Sequence, residues 1–271
     1  MPDALSTLTD ARFQIVEDAD SASIFWLVGP GRNQYKANAV VKDGYLNEFP
    51  NDDTLLVKDL FIPLLHSSYK CFSKEASEDS QPARVIQEAY MANTQLPAFA
   101  GRFYEREALL EDNTWAVIAG QIPQGAPVIP SLTKSVDWAM RLTETGPCGS
   151  IIQKYQEKPM LTSAGHKLIF RYSVYLKGVV PLQAYVSPKP QLLSAPKPFT
   201  MSEAAFGDEH VHLCTQSCPA DYFTAMADGS DLNDKALQSI RAVLKAFQVQ
   251  FGEEIKQAGE AKKRAIYSVD I

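Results

Sequence analysis

The sequence predicts a mixed α/β (α+β) fold, and three stretches carry that prediction. Residues 167–176 alternate strictly: Leu168, Phe170, Tyr172, Val174 and Leu176 fall on one face, and Lys167, Ile169, Arg171, Ser173 and Tyr175 on the other. That is the two-residue period of a strand with one buried side, whose mixed face is placed to line a cleft. Leu237, Ile240, Val243, Leu244, Phe247, Phe251 and Ile255 recur every three or four residues, the stripe of an amphipathic helix. Ile24-Phe25-Trp26-Leu27-Val28 is apolar on both faces, as in a buried parallel strand.

The other elements follow in order. Phe13, Ile15 and Val16 read as a first strand, turned by Glu17-Asp18-Ala19-Asp20 into the second. Asp52-Asp53-Thr54 offers capping oxygens to a helix carrying Leu55, Leu56, Leu60, Phe61, Leu64 and Leu65, which Pro63 should kink or end. Residues 73–82 are polar without apolar period, a mobile loop. Helices are expected from about Ala83, over 97–110 and over 134–143; Trp115-Ala116-Val117-Ile118 is a short strand, and 120–130, with two Gly and three Pro, is a loop. Ile151-Ile152-Gln153-Lys154-Tyr155 is a strand, and 167–186 holds two strands joined near Lys177-Gly178. Pro188, Pro190, Pro196 and Pro198 punctuate a loop, the long helix starts near Asn233 or Asp234, and Ala265-Ile266-Tyr267-Ser268-Val269-Asp270-Ile271 is strand-like.

The 271 residues, 45% hydrophobic and 21% charged, suffice for one large domain or two lobes. A net charge of -6 disfavours nucleic-acid binding, which needs a basic surface to displace counterions. Cys71, Cys148, Cys214 and Cys218 are irregularly spaced in a long chain, so free thiols in a reducing compartment are expected. No apolar run is long enough for a bilayer span and the first residues lack a signal-peptide pattern, so a cytoplasmic protein without membrane partners is expected.

Several stretches in sequence order resemble the tubulin tyrosine ligase-like family. They are LTDARFQIVEDADSASIFWL, LNEFPNDDTLLVKDLF, LPAFAGRFYEREALLEDNTW, IIQKYQEKPML, GHKLIFRYSVYLKGVVPLQAYV and AIYSVDI. The resemblance implies an ATP-grasp-like architecture, with lobes at 1–72, 83–150 and 151–271 around the 73–82 loop. ATP lies between lobes, and an acyl-phosphate formed on a carboxylate is attacked by an amino acid amine. Such chemistry needs cations at the phosphates, carboxylates for Mg²⁺ and a hinge for adenine.

Carried onto this chain, the family's Q-K-Y hinge is Gln153-Lys154-Tyr155, a nucleotide-binding expectation that includes Lys167. Its K-F-D-I-R motif reads Lys167-Leu168-Ile169-Phe170-Arg171: both cations remain, Arg171 toward substrate, but Ile169 replaces the aspartate and leaves them without their usual partner. The substrate arginine before Pro198-Phe199 is Leu193, and H-L-T-N reads His212-Leu213-Cys214-Thr215 without its asparagine. After Trp115 the phosphate lysine is missing; Lys134 could reach in from the following helix. Tyr267-Ser268-Val269-Asp270 keeps one Mg²⁺ carboxylate, Asp270, at an end where fraying is expected, and the E-x-N strand that follows in the family is not reached. ATP and Mg²⁺ binding are therefore expected to be weak or lost, and no catalytic residue is assigned.

His210, His212, Cys214 and Cys218 offer a competing H-x-H-x-C-x3-C zinc pattern, three of whose side chains would share one face of a strand. Lys262-Lys263-Arg264 suits either an acidic tubulin tail or a solvated helix end. The function expected is a degenerate, inactive ligase-like domain that binds tubulin or a partner protein. An active tubulin–amino acid ligase seen as an incomplete chain, and a scaffold subunit of a larger assembly, stay open.

Overall fold

A computed structural model of the chain describes residues 14, 16, 21–25, 45–72, 87–118, 131–145, 149–218, 230–258 and 263–271. The expected first strand, the loops at 73–82 and 120–130, and Cys148 lie wholly or largely outside them. The start of the chain contributes β1 (Ile24–Phe25) and β2 (Tyr45–Leu46), a parallel pair as the apolar run implied. Ile24 is half exposed, so this end of the run is not buried on both faces.

Two helices follow, α1 (Asp53–Leu56) and α2 (Lys58–Phe72), with extended backbone between them at Val57. The expected break at Pro63 therefore falls six residues earlier, and Pro63 lies inside α2. Asp52 does not cap α1 through its side chain. The fully buried Asp52 carboxylate instead accepts the Phe49 N–H at 3.3 Å and the Tyr267 hydroxyl at 3.1 Å. This joins the start of α1 to the last strand.

β3 (Ala89–Met91) stands where a helix from about Ala83 was expected to be running; α3 (Ala92–Ala108) starts only after it and passes through Pro97. β4 (Trp115–Ile118), β5 (Ser131–Thr133), α4 (Val136–Thr145) and β6 (Ile151–Lys154) complete an antiparallel sheet of order β3-β6-β4-β5. Strand alternation splits its side chains. Trp115, Val117 and Ile152 pack with Phe99, Phe103, Val136 and Ala139 of the helices, while Ala89, Ala116, Ile118, Ile151 and Tyr155 form a second cluster on the inner side.

The second large sheet is built on β7 (His166–Gly178), flanked by β9 (Gln191–Pro198) and β11 (Ala265–Asp270), with β8 (Gln183–Val186) also on β7 and β10 (Gln216–Ser217) outside β9. All these pairs are antiparallel. The alternation read along β7 holds: Leu168, Tyr172, Val174 and Leu176 are buried. The prolines misled, because 191–198 is a strand. Regular pairing with β7 uses Gln191 to Ser194, and Pro196 and Pro198 fall where the register shifts and a missing N–H costs no ladder bond. The short α5 (Glu209–His212) and the long α6 (Ser230–Gln257) follow.

α6 starts slightly before Asn233 and buries the predicted stripe from Ile240 onward, whereas Leu237 is exposed and Ala236 is buried instead. Ile240, Leu244, Phe247 and Ile255 pack with Val174, Leu176, Phe49 and Leu64, each large side chain contributing roughly 1.5–3 kcal/mol by leaving water. One glycine is required: Gly149, before β6, has φ +92°, and a Cβ there would lie 2.8 Å from an Asp59 carboxylate oxygen. Among the described residues no helix is long and apolar enough to cross a membrane.

Candidate functional site

The inner face of β7 presents Lys167, Ile169 and Arg171, opposite the buried row, because successive side chains alternate. Antiparallel pairing sets Ile169 directly across from Leu193 of β9. Residues so paired share a face, so the positions matching the family's strand aspartate and substrate arginine are cross-strand neighbours. Both are apolar here, and Leu193 is only 4% exposed. The two positions where the resemblance led to an expected aspartate and arginine are thus one apolar cross-strand pair.

Lys167 ends among neutral groups. Its Nζ donates to the Tyr155 hydroxyl oxygen at 3.2 Å and to the His212 carbonyl at 3.1 Å, and sits 4.9 Å from the Tyr155 ring centroid. His212 is 4% exposed, with one ring nitrogen 3.0 Å from the Ala205 carbonyl and the other 2.9 Å from the Tyr155 oxygen. A carbonyl only accepts, so Nε2 of His212 carries the proton, Nδ1 accepts, and Tyr155 donates to it. Donation therefore runs from Lys167 to Tyr155 to His212 to Ala205. Phe199 and Phe206 meet the imidazole edge to face. Burial pushes the Lys167 ammonium and the His212 imidazolium down and the Tyr155 phenol well up, so this site favours uncharged groups.

Gln153 and Lys154 point apart. Gln153 pairs in register with Ala89 and Ala116 on the inner face, while Lys154 pairs with Trp115 on the other. Lys154 Nζ donates to the Thr114 carbonyl at 3.0 Å, the Tyr155 carbonyl at 3.0 Å and Glu157 Oε1 at 2.9 Å. An ammonium has three donors, and all are engaged. The hinge backbone is engaged too: Lys154 N–H bonds the Glu88 carbonyl and Tyr155 N–H the Thr114 carbonyl. Burial lowers the Lys154 ammonium, whereas hydrogen bonds from the Thr114 N–H and Lys154 hold the Glu157 carboxyl below the usual range despite its burial. Glu157 and Thr114 escaped the sequence reading; the Lys154-to-Glu157 spacing was the one local signal.

Arg171 does not lack a partner. β11 pairs with β7 so that Asp270 lies directly across from it, and the guanidinium holds both carboxylate oxygens at 2.6 and 2.7 Å. This contact spans 99 positions, beyond any local pattern. Asp270 is also not frayed: Ile271 exchanges two 2.9 Å backbone hydrogen bonds with Phe170. The pair raises the Arg171 guanidinium, and Asp270 partly offsets the burial that lowers Lys58 of α2. These residues do not suit Mg²⁺. The one family carboxylate is already neutralised by Arg171, and among the described residues no group of three His, Cys, Asp or Glu side chains converges. Lys134 lies 5.8 Å from the Phe206 ring centroid, on the side of the His212 cluster.

The zinc alternative fails on geometry. Residues 209–212 are helical, so His210 and His212 do not alternate as on a strand. His212 is occupied by Tyr155 and Ala205, and the Cys214 thiol donates to the Lys167 carbonyl at 3.4 Å. Burial pushes that thiol up to about 11. Cys214 and Cys218 are free thiols.

The chain is similar to several known proteins. Tubulin–tyrosine ligase-like protein 12 of Caenorhabditis elegans is 26% identical over 265 residues, covering 96% of this chain and 36% of the relative. The Homo sapiens protein of the same name is 27% identical over 185 residues (67% and 27%), and that of Mus musculus 25% over 210 (76% and 31%). The chain thus spans about a third of the length of these relatives, or less. The family model described as "Tubulin-tyrosine ligase family" matches residues 36–261, and the chain belongs to that family.

Proposed function

We propose that this chain is a ligase-like domain that has lost turnover and acts in the cytoplasm by binding tubulin or a partner protein. The observation that carries the reading is the Ile169–Leu193 pair. Where the family's chemistry calls for a carboxylate and a cation on facing strands, two apolar side chains are packed, and neither can stabilise a developing acyl-phosphate. Two further features support it: the spent donors of Lys154 and the closure of Asp270 by Arg171. Each removes a group that nucleotide or metal would have to recruit.

The test is a thermal-shift titration with Mg·ATP, run beside an assay for ATP-dependent incorporation of tyrosine, glutamate or glycine into tubulin. A ligand at a hundred times its Kd would stabilise the fold by about 2.7 kcal/mol, a readily measured rise in Tm. No shift at millimolar nucleotide and no incorporation are expected. Turnover by this chain would overturn the reading.

A further inference from the structure

The face of β7 that carries Lys167, Ile169 and Arg171 continues beyond them, and there it changes character. Strand alternation puts Ser173 and Tyr175 on that face, opposite the buried Val174 and Leu176. The register supplies their neighbours. β11 sets Ser268 across from Ser173 and Ile266 across from Tyr175, while β8, on the other side of β7, sets Tyr185 across from Tyr175. Tyr185, Tyr175 and Ile266 thus form one row over three adjacent strands, 58%, 38% and 55% exposed. The two tyrosine rings lie 6.1 Å apart and 26° from parallel. Single exposed apolar side chains are ordinary on a protein surface, but a contiguous row on one sheet face marks a place for contact.

Size, charge and hydrogen bonding together select the occupant. A free aromatic side chain offers about 200 Å², so the row leaves roughly 300 Å² open. A stable dimer or globular partner needs about 800 Å² on each side, so the row suits a short linear segment. Asp270 is the one carboxylate on β7, β8 and β11, and Arg171 neutralises it, so nothing on these strands holds a basic segment. Arg264 lies over the Tyr45 ring, and the exposed Lys177 alone is too little for a run of phosphates. The hydroxyls of Tyr175, Tyr185, Ser173 and Ser268 bond to none of the described residues, so four O–H donors stand unspent on this face. An ordinary extended peptide carries as many N–H as C=O groups and docks along a strand edge. A polyproline II segment has no internal hydrogen bonds, and each proline removes an N–H, so its backbone offers mainly acceptors. A face of donors with near-parallel rings to seat pyrrolidine rings complements that backbone.

We propose that the Tyr185–Tyr175–Ile266 row is a docking platform for a proline-rich, polyproline II segment of a partner protein. It lies beyond the Arg171–Asp270 pair, and its failure would leave the inactive-ligase reading untouched. The test titrates the full chain against a fluorescein-labelled decaproline peptide, followed by anisotropy, beside glycine–serine and glutamate peptides of the same length. Saturable binding of decaproline, and not of the other two, is expected. Tyr185→Ala should weaken it by about thirtyfold, the loss of a hot-spot residue. Tyr185→Phe keeps the ring and removes the donor, and should weaken it by about fivefold with Tm unchanged. Trp138→Ala, at a half-exposed aromatic on α4 away from this sheet, should bind as the wild type does. No binding at millimolar decaproline, equal binding of either control peptide, binding indifferent to both Tyr185 variants, or an equal loss in Trp138→Ala would each overturn the proposal.

Discussion

Lys167 and Arg171 lie four residues apart on one face of one strand, yet they hold their charge in opposite ways. Lys167 is surrounded by neutral acceptors and an aromatic ring, and burial works against its charge. Arg171 is 38% exposed and meets a full carboxylate, itself 43% exposed, in a two-pronged ion pair. The first is part of the core that joins β6, β7 and the 205–212 segment. The second is a clasp over the outer edge of the sheet. The difference teaches that a retained family cation need not mark a retained family function, because each has acquired a partner within the chain.

The largest effect should come from breaking the buried end. His212→Ala removes the acceptor of the Tyr155 hydroxyl and the donor to Ala205, and leaves a cavity between Phe199 and Phe206. A stranded buried donor and a void together should cost about 3 kcal/mol in urea denaturation. Tyr155→Phe, which strands Nδ1 but keeps the ring, should cost about half as much. A loss below about 1 kcal/mol for His212→Ala would place this network among the ordinary surface contacts and erase the contrast.

Much of this end was legible beforehand, and the illegible part has a physical reason. The period of β7 tells which residues face inward, since a row of five apolar side chains, four of them buried, admits one register. The match of β4 to Trp115–Ile118 and of β11 to the terminal run rests on the same local pattern. β9 is hidden locally because Pro196 and Pro198 read as breakers, whereas at a register shift no ladder bond is missing. His212 was drawn into a zinc pattern by its spacing from His210, which carries meaning only on a strand, and 209–212 is a helix. The cross-strand partners Ile169–Leu193 and Arg171–Asp270 belong to strand pairing, which no local window contains. The apolar residues themselves are visible in the sequence; that Ile169 and Leu193 face each other across β7 and β9 is not.

pH offers a finer cut through the buried end. His212 is neutral and burial lowers its pKa from the ordinary 6.5, with the nearby Lys167 charge acting the same way. As pH falls through 6.5 the unfolded chain takes up the proton first. The stability owed to neutral His212 is therefore complete above that pH and is lost as pH drops toward the folded-state value. His66, also lowered by burial, contributes with the same sign. Urea midpoints at pH 7.5 and 5.5 should fall more for the wild type than for His212→Gln, the remainder being owed in part to His66. Equal drops in the two proteins would mean that His212 does not depend on its neutral form, and would weaken the reading of Lys167 as a cation among uncharged partners.

The smallest effect belongs to the exposed clasp. Both partners are more than a third exposed, so water competes for each charge and salt screens the pair. A double-mutant cycle with Arg171→Ala, Asp270→Ala and the double variant should give a coupling of about 0.5–1 kcal/mol, at the upper end for surface pairs because the contact is bidentate. That coupling should shrink in 0.5 M salt, whereas the loss caused by His212→Ala should not. The backbone ladder of β11 does not depend on the clasp: Ala265, Tyr267 and Val269 pair with Leu176, Val174 and Tyr172 along the same edge, and Ile271 bonds Phe170 beyond it. Asp270→Ala should therefore leave β11 in place and free Arg171 to face solvent. If Mg·ATP then raised the Tm of Asp270→Ala but not of the wild type, the clasp would be the element that keeps nucleotide out. If neither protein responded, the block would lie deeper, at Ile169 and Leu193, where no exposed charge remains to be released.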